Sequence, residues 1–307
     1  MHTAFISHPD TLRHVMDSSH PESPARISAI KDRLIASQVY DHLQIFDAPL
    51  ATDAQLARVH DTAYIDNIRA SAPQAGMVEL DPDTAMGPMT LSAALHAAGA
   101  VVLATDLVIS GRAQNAFCCV RPPGHHAWRG QTGGFCIFNN VAVGVAHAMA
   151  HHGIQRAAII DFDVHHGDGT ENIFRDDPRV MLCSTFQHPL YPYRGAESRN
   201  DHIINVPLPA GTDCTSFREA VEQEFAPALM HFKPEILFVS AGFDAHREDP
   251  LASFNLIRDD YIWVTKFIKQ IARRYAHDRI VSTLEGGYDL VSLADSATAH
   301  IRTLADL

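Results

Sequence analysis

The chain has 307 residues, of which 46% are hydrophobic and 20% are charged, so it can bury a large core without disulfides. Its 24 basic and 36 acidic side chains give a net charge of -12, which argues against direct nucleic-acid binding through a broad phosphate-contacting surface. No linker, charge block or internal repeat divides the sequence, so we expect a single domain over residues 1–307.

Targeting signals and paired cysteines are both missing from the sequence. The N-terminus has no basic start followed by a long apolar run, and no uninterrupted apolar run reaches the roughly 18 residues of a membrane span. We therefore expect a cytoplasmic protein that does not enter a membrane. The cysteines are odd in number and lack CxxC spacing, which predicts reduced thiols at Cys118, Cys119, Cys136, Cys183 and Cys214.

Short apolar runs rich in β-branched residues alternate along the chain with helical patterns. The runs predict buried parallel strands at 4–7, 115–120, 156–163, 180–186, 235–244 and 279–287. Helices are predicted from Ser23-Pro24 onward, from Ser92 to Gly111, and over 140–152, 215–232, 258–276 and 289–306. This alternation predicts an α/β fold with a mainly parallel sheet and helices on both faces.

Polar residues follow four of these strands at the point where each strand ends. The four segments are Arg121–His126, Asp161–Asp168, Asp244–His246 and Glu285–Tyr288. Ligand sites in parallel sheets lie beyond the carboxyl ends of the strands, so we expect the four segments to meet there.

The segment after the strand at 156–163 has the spacing of a metal site. A two-residue period places Asp161, Asp163 and His165 on one face, where Asp163 and His165 can share an ion and Asp161 lies deeper to orient a neighbour. Asp244 ends an apolar run, where an unpaired carboxylate is costly to bury, and is the expected third ligand. This set leaves a position open for water, as catalytic Zn²⁺ requires, although Fe²⁺ and Mn²⁺ accept the same ligands. Without Asp244 and the other strand ends, the Asp161–His165 motif could equally be a solvated loop after a strand.

Three histidine pairs occur in the chain, and their settings differ. His125-His126 follows a stiff Pro-Pro-Gly turn at a strand end, which suits proton transfer at neutral pH. His151-His152 precedes Gly153 at a helix end, where we expect a structural role. His166 stands beside the predicted ligand His165 and is expected to pack or to support it.

A carboxylate and a phenol complete the candidate chemistry. Asp168 can accept a proton from one of the tandem histidines, as Asp161 can from the other, although an Asx turn is the alternative for Asp168. Two glycines precede Tyr288 and allow its phenol to turn back into the site, where it can donate a hydrogen bond to a developing oxyanion.

The ordered motifs RPPGHHA, GGFCIFNNVA, DFDVHHGDGT, VSAGFDAH and LEGGY, with HPESPARISAI near the start, resemble the class II branch of the zinc-dependent histone deacetylase family. They span nearly the whole chain. The resemblance implies the arginase/deacetylase fold, with a central, mainly parallel eight-stranded sheet and helices on both faces. It also implies hydrolysis of N-acyl amines with one Zn²⁺ per chain and a structural K⁺.

Residue roles follow from the same motifs. The resemblance implies zinc ligands at Asp163, His165 and Asp244, and a general base at His126 that His125 assists electrostatically or as an acid. It implies that Asp161 and Asp168 are the hydrogen-bond partners of these histidines and that Tyr288 polarises the acyl carbonyl. The implied potassium site, partly through backbone oxygens, consists of Asp161, Asp163, His165, Ser184 and Thr185.

The resemblance also implies a tunnel for the acylated side chain, and here the sequence departs from the family pattern. The implied tunnel residues are Gly134, Phe135, Tyr191 and Leu251, and Arg26 is the implied arginine of a product channel. Leu251 replaces the acidic gatekeeper of polyamine-specific relatives, which favours acyl-lysine, although Glu248 and Asp249 are alternative sources of charge. Tyr193 and Arg194 replace a Gly-rich mouth. We hypothesise that Arg194 disfavours polyamines, the alternative being an arginine that points to solvent.

The sequence therefore predicts a zinc-dependent deacylase, with N6-acetyl-lysine in peptides or proteins as the expected substrate. An acetylpolyamine or another small amide is the alternative. A catalytically idle acyl-lysine binding module is disfavoured because every catalytic position is present. A two-manganese hydrolase of the arginase type is disfavoured because it needs more metal ligands than the three identified here. A dinucleotide-binding oxidoreductase is disfavoured because no GxGxxG follows the first strand. The oligomeric state stays open.

Overall fold

The computed structural model describes residues 2–17 and 19–307 and is built on one eight-stranded sheet in which every neighbouring pair of strands is parallel. In chain order the strands are β1 (Thr3–Ser7), β2 (Leu43–Asp47), β3 (Val78–Asp81), β4 (Thr84–Met86), β5 (Asn115–Cys118), β6 (Ala157–Asp161), β7 (Val180–Gln187), β8 (Ile203–Leu208), β9 (Ile236–Ala241) and β10 (Ile280–Leu284). The spatial order in the sheet is β2-β1-β5-β10-β9-β6-β7-β8, and β3 pairs with β4 in a separate antiparallel hairpin. The predicted fold class is confirmed.

Helices cover both faces of this sheet. They are α1 (Ala25–Ala36), α2 (Asp53–Leu56), α3 (Thr62–Ser71), α4 (Thr90–Ile109), α5 (Asn140–His152), α6 (Asp168–Phe174), α7 (Cys214–Ala220), α8 (Ala226–Phe232), α9 (Arg258–Tyr275) and α10 (Leu290–Leu304). Successive residues of β6 point to opposite faces: Ile159 packs with the core under α4 and α5, and Ile160 with the core under α1, α9 and α10. Buried on both faces, the strand is a continuous apolar run.

The long helix α4 belongs to this core. Among the described residues it alone has the length and hydropathy of a membrane span, but 78% of its apolar window is buried inside the protein. Its Gly99 sits where an added Cβ would lie 1.9 Å from the carbonyl oxygen of Pro49, so only glycine allows this close approach. These features are those of the core helix of an α/β fold.

The sequence prediction lacks the strands β2, β3, β4 and β8 and the short helices α2, α3 and α6, and one predicted helix is interrupted. The strands β2 and β8 were not predicted, because both lie at sheet edges where their side chains are partly exposed and the apolar pattern is weak. Pro207 in β8 is tolerated because an edge strand has one unpaired side. The predicted helix over 215–232 is interrupted by a π-helical turn, Val221–Phe225, just before Pro227, whose ring and missing N–H disturb the α-helical ladder.

A buried ion cluster ties the N-terminal segment to the carboxyl edge of the sheet. The Glu22 side chain is fully buried, and its carboxylate binds Arg121 with both oxygens and Arg26 Nη1 at 3.0 Å. Arg26 also donates to the carbonyl oxygens of Gly287, at 2.6 Å, and Glu285, at 2.5 Å. Burial opposes the ionisation of Glu22, but the neighbouring positive charges, Arg121 first among them, together outweigh it and hold the pKa of this carboxyl well below its usual value. The cluster thereby fixes the loops after β5 and β10.

We expect Glu22→Ala to lower the free energy of unfolding by about 3–5 kcal/mol, because two buried guanidinium groups lose their counter-charge. Chemical denaturation followed by circular dichroism measures the change. The matched control is Glu197→Ala at an exposed position, which we expect to change stability by less than about 0.5 kcal/mol. Equal losses in the two variants would contradict this role of the cluster.

Candidate active site at the carboxyl ends of the strands

The sheet order brings together the four polar segments that the sequence singled out. The strands β5, β10, β9 and β6 are consecutive neighbours, and all run in the same direction. Their carboxyl ends therefore meet at one edge, as the prediction required.

Asp163, His165 and Asp244 converge on one point at this edge. His165 Nδ1 lies 3.2 Å from Asp163 Oδ1 and 3.1 Å from Asp244 Oδ2, and ligand atoms of all three lie within 4.8 Å of one another. All three side chains are buried. Burial opposes a charged imidazole, but the two carboxylates outweigh it and raise the pKa of His165 to about 10. In this arrangement a proton on Nδ1 holds the two carboxylates together.

This donor set fits a divalent metal ion in place of that proton. Ligand bonds of about 2.0–2.1 Å in a tetrahedral zinc site place neighbouring ligand atoms about 3.4 Å apart, close to the separations found here. The outward lone pairs are also satisfied, since Gly286 N donates to Asp163 Oδ2 at 2.8 Å and Val164 N donates to Asp244 Oδ1 at 3.0 Å. A Cβ on Gly286 would lie 2.0 Å from Asp244 Oδ2, so this backbone donor requires glycine. Asp163, His165 and Asp244 are the residues that would hold the ion, and among the described residues no second metal-ligating cluster adjoins them.

The tandem histidines each have their own carboxylate. His125 Nδ1 lies 2.9 Å from Asp161 Oδ2, and His126 Nδ1 lies 2.8 Å from Asp168 Oδ1. Trp128 Nε1 donates to the second oxygen of Asp168 at 2.7 Å, which fixes that carboxylate. Asp161 and Asp168 therefore orient the two rings, and the Asx-turn alternative for Asp168 does not account for these contacts.

The environment drives the two histidines to opposite protonation states. Burial opposes the charged form of His125, but Asp161 and Asp163 outweigh it and hold its pKa well above the usual value. Burial and the neighbouring His125 charge lower the pKa of His126 to about 4. Because Nδ1 of His126 donates to Asp168, its Nε2 carries a free lone pair. A cationic imidazole thus stands beside a neutral one, the separation of acid and base that catalysis near neutral pH requires.

Glu285 is a supporting residue to which the sequence reasoning gave no role. It is fully buried, and its Oε2 accepts hydrogen bonds from the backbone N–H groups of Gly124, at 2.7 Å, and His125, at 3.1 Å. Ser240 Oγ donates to its other oxygen at 3.1 Å. Burial is the main cause that raises the pKa of Glu285 to about 7. The sequence could have identified Glu285, because it follows an apolar strand directly, as Asp244 does.

Tyr288 is held at the site through its backbone and ring. Its N–H donates to Asp249 Oδ2 at 2.7 Å, the Arg26 guanidinium lies 5.0 Å from the ring centre, and the Phe135 ring lies edge-on at 6.0 Å. Asp249 also accepts from the backbone of Leu251 at 3.0 Å. The contacts of Arg26 therefore position the Tyr288 loop, and its role in a product channel stays a prediction.

Glu248 and Asp249, the alternative sources of gatekeeper charge, have different environments, and only the Asp249 carboxylate is engaged by backbone donors. Asp249 is only 6% exposed, and its carboxylate is occupied by the backbone of Leu251 and Tyr288. The Glu248 side chain is 61% exposed and pairs with Arg247 at 3.2 Å. Leu251 is half-buried in the same loop. The buried Asp249 carboxylate is consequently not free to meet a cationic substrate.

Three of the predicted tunnel residues, Gly134, Phe135 and Tyr191, border the histidines and Tyr288. The Tyr191 ring lies 5.1 Å from the His126 ring and 6.4 Å from the His165 ring. A Cβ on Gly134 would lie 2.3 Å from His126 Cδ2, so the His126 ring packs directly on this backbone, and the next residue, Phe135, faces Tyr288. These contacts place aromatic side chains around the approach to the metal ligands.

The hairpin of β3 and β4 supports one side of this approach and was missed by the sequence reasoning. Asp83 Oδ1 accepts from Gly134 N at 3.1 Å, and Thr132 Oγ1 donates to Asp81 Oδ2 at 2.5 Å. Burial and the neighbouring Asp81 raise the pKa of Asp83 to about 6. The Asp-Pro-Asp sequence at residues 81–83 is typical of a turn and could have indicated the hairpin. The two aspartates thus hold the turn that carries Phe135.

The loop that follows β7 also borders this approach. Tyr193 is 71% exposed, whereas the Arg194 guanidinium lies 4.8 Å from the centre of the Trp128 ring. Arg194 is exposed, and its guanidinium stacks over the tryptophan that fixes Asp168; its effect on polyamines stays a prediction. His166 Nε2 lies 2.7 Å from Glu171, which also accepts from Ser198 of this loop at 2.9 Å. His166 is thus linked through Glu171 to this loop, and its expected support of His165 stays a prediction; Glu171 was not identified from the sequence.

The residues of the expected potassium site lie at the end of β6 and on the adjoining middle part of β7. Ser184 pairs with Asp161 in the sheet register, and Thr185 follows it. Their side chains are buried, as are those of Asp163 and His165. This placement is compatible with an ion bound through oxygen atoms, and K⁺ itself stays a prediction.

The site as a whole is that of a metal-assisted hydrolase, with a cation-binding triad, an acid and a base held apart in pKa, and a phenol. The chain belongs to the histone deacetylase family, since the family model described as the histone deacetylase domain matches residues 20–304. This is a family of zinc-dependent hydrolases, and the chain is accordingly an enzyme of the amidohydrolase type.

Individual relatives agree with this assignment. The chain is 39% identical to an uncharacterised protein of Synechocystis over 98% of this chain and 99% of that protein. It is 38% identical to a histone deacetylase-like amidohydrolase of Pseudomonas aeruginosa over 88% of this chain and 73% of that protein. Among solved structures it matches the HDA15 HD domain with a TM-score of 0.92 and 31% identity, covering 99% of this chain and 90% of that domain.

Proposed function

We propose that this chain hydrolyses N6-acyl-lysine side chains of peptides or proteins, with Zn²⁺ held by Asp163, His165 and Asp244. The observation that carries the reaction is the geometry of the two tandem histidines, each bound to its own carboxylate beside the Asp163, His165 and Asp244 triad. When bound, Zn²⁺ supplies the Lewis acidity that makes an amide carbonyl more electrophilic and a water more acidic. The remaining steps are assigned to side chains of the protein.

His126 is the general base in this proposal. Its Nε2 lone pair removes a proton from the attacking water, and Asp168, which accepts from Nδ1, stabilises the imidazolium that forms. The same Nε2 then returns the proton to the departing lysine amine when the C–N bond breaks. His125, whose ring lies 4.0 Å from that of His126, stays cationic against Asp161 and contributes positive charge.

Tyr288 is the oxyanion donor in this proposal. The Arg26, Asp249 and Phe135 contacts hold its ring next to the metal ligands, where its O–H can donate to the carbonyl oxygen as that oxygen gains negative charge. A structural K⁺ between the end of β6 and the middle of β7 is part of the same proposal, and the buried oxygens of Asp161, Ser184 and Thr185 support it.

We expect His126→Ala to reduce kcat by about 10²–10⁴-fold, since it removes the general base. Tyr288→Phe, which removes one oxyanion donor, should reduce kcat by about 10²–10³-fold. Steady-state assays with an acetyl-lysine peptide measure both values. Each variant should fold and retain one tightly bound zinc, and the matched control Tyr193→Phe at the exposed mouth should retain activity. Near-normal turnover in either site variant refutes its assigned role.

The substrate proposal rests on the charge of the mouth. Leu251 stands where polyamine-specific relatives carry an acid, the Asp249 carboxylate is occupied by backbone donors, and Arg194 places a positive charge over Trp128. A polycationic substrate gains no ion pair from these residues. The Asp81–Asp83 pair favours the acetylpolyamine alternative, but those carboxylates accept from Thr132 and Gly134.

The substrate proposal predicts that an acetyl-lysine peptide has a higher kcat/KM than acetylspermidine. Leu251→Glu should shift the ratio of the two kcat/KM values toward acetylspermidine by up to about 5-fold, because one ion pair near the surface contributes up to about 1 kcal/mol. Leu251→Gln is the matched control for polarity without charge and should leave the ratio near that of the parent. A parent enzyme that prefers acetylspermidine, or equal shifts in the two variants, would overturn the acyl-lysine assignment.

A further inference from the structure

A second group of metal-ligating side chains lies at the other edge of the sheet. The helices α4 and α5 lead directly into β5 and β6, so their C-terminal turns lie near the amino ends of the strands, opposite the catalytic edge. There Asp106 of α4 meets His147, His151 and His152 of α5. No step of the proposed hydrolysis uses these residues.

The carboxylate of Asp106 organises the histidines around it. His147 Nε2 lies 2.8 Å and His152 Nε2 lies 2.7 Å from the same atom, Asp106 Oδ1. The His151 ring stacks on the His147 ring at 5.0 Å, with 16° between their planes, and lies 4.9 Å from the His152 ring. Nitrogen atoms of His151 and His152 and an oxygen of Asp106 lie within 4.8 Å of one another.

His147 has a different role from His151 and His152. Arg58 Nη1 lies 3.0 Å from His147 Nδ1, and because a guanidinium only donates, Nδ1 of His147 accepts. The proton of a neutral His147 ring is then on Nε2, from which it donates to Asp106. This bond orients the carboxylate, as supporting residues behind metal ligands do. His147 itself is buried, whereas His151 is exposed and His152 half-buried.

The field at this position favours a cation. Both helices end here, and the C-terminal end of a helix carries partial negative charge from its unpaired carbonyl groups. Asp106 adds a full negative charge. A site of two imidazoles and one carboxylate, open to solvent on one side, suits a divalent ion of the zinc-to-copper series and not Ca²⁺ or Mg²⁺.

We propose that Asp106, His151 and His152 form a second divalent metal site, with His147 as its positioning residue. The ion replaces the proton between His152 and Asp106 and links the C-terminal turns of α4 and α5. The site is separate from the catalytic triad and does not depend on the proposed substrate. Bound ion stabilises the folded state by mass action.

The test uses the full chain with its catalytic site already loaded with zinc. Isothermal titration with further Zn²⁺ should show one additional ion per chain, and the same additions should raise the melting temperature. His151→Ala and His152→Ala should each weaken this second binding by about 10- to 100-fold or more, as should the supporting change His147→Ala. Deacetylase activity at low zinc should stay at the parent level in the His151 and His152 variants. His151 is exposed, so its replacement carries little risk to folding.

The matched control is His231→Ala, an exposed histidine on α8, which should bind the additional ion as the parent does. The proposal is overturned if the zinc-loaded parent binds no further ion. It is also overturned if His151→Ala and His152→Ala leave the second affinity unchanged, or if His231→Ala lowers it equally. Loss of the catalytic ion through Asp244→Ala should leave the second site occupied, which distinguishes the two sites.

Discussion

The arrangement of the active site depends on two buried carboxylates, Asp163 and Asp244, at the carboxyl edge of the parallel sheet. Both lie within hydrogen-bond distance of the His165 imidazole. Burial and the Asp163 charge raise the pKa of Asp244 to about 7, so two ionised groups here require a cation. The ladders of β6 and β9 bring the two residues together, since Asp161 pairs with Ser240 at the ends of these strands. Backbone N–H groups of Val164 and Gly286 satisfy the outward lone pairs. The metal site is therefore a consequence of strand order.

The surrounding residues convert this cation site into a hydrolytic one. His125 Nε2 lies 3.8 Å from Asp163 Oδ2, and the nearby carboxylates raise the pKa of His125. Burial and the neighbouring His125 charge lower the pKa of His126, which is therefore neutral. Glu285 holds the backbone of the turn that carries both rings. The Glu22 cluster, acting through Arg26, fixes the loop that carries Tyr288. Acid, base and phenol thus depend on buried carboxylates contributed by distant parts of the chain.

Much of this arrangement was predictable because its signals are local. The DFDVHH and RPPGHH segments and the apolar run ending at Asp244 identify strand ends and their ligands directly. The partners of Glu22, Asp249 and Glu171 were not predictable, because each contact joins segments whose separation in sequence carries no pattern. Edge strands β2 and β8 were missed since partial exposure weakens the alternation of apolar residues. The direction of Arg194 depends on Trp128, which lies in another loop.

The central claim is that one catalytic ion is held by Asp163, His165 and Asp244, with His126 beside it and outside the ligand set. A crystal structure of the zinc-loaded protein, with anomalous diffraction recorded on both sides of the zinc edge, tests it directly. We predict a strong anomalous peak about 2.0–2.1 Å from ligand atoms of these three residues, with His126 still bound to Asp168. A peak bonded to His125 or His126 in place of His165, or no peak at this edge of the sheet, would contradict the account.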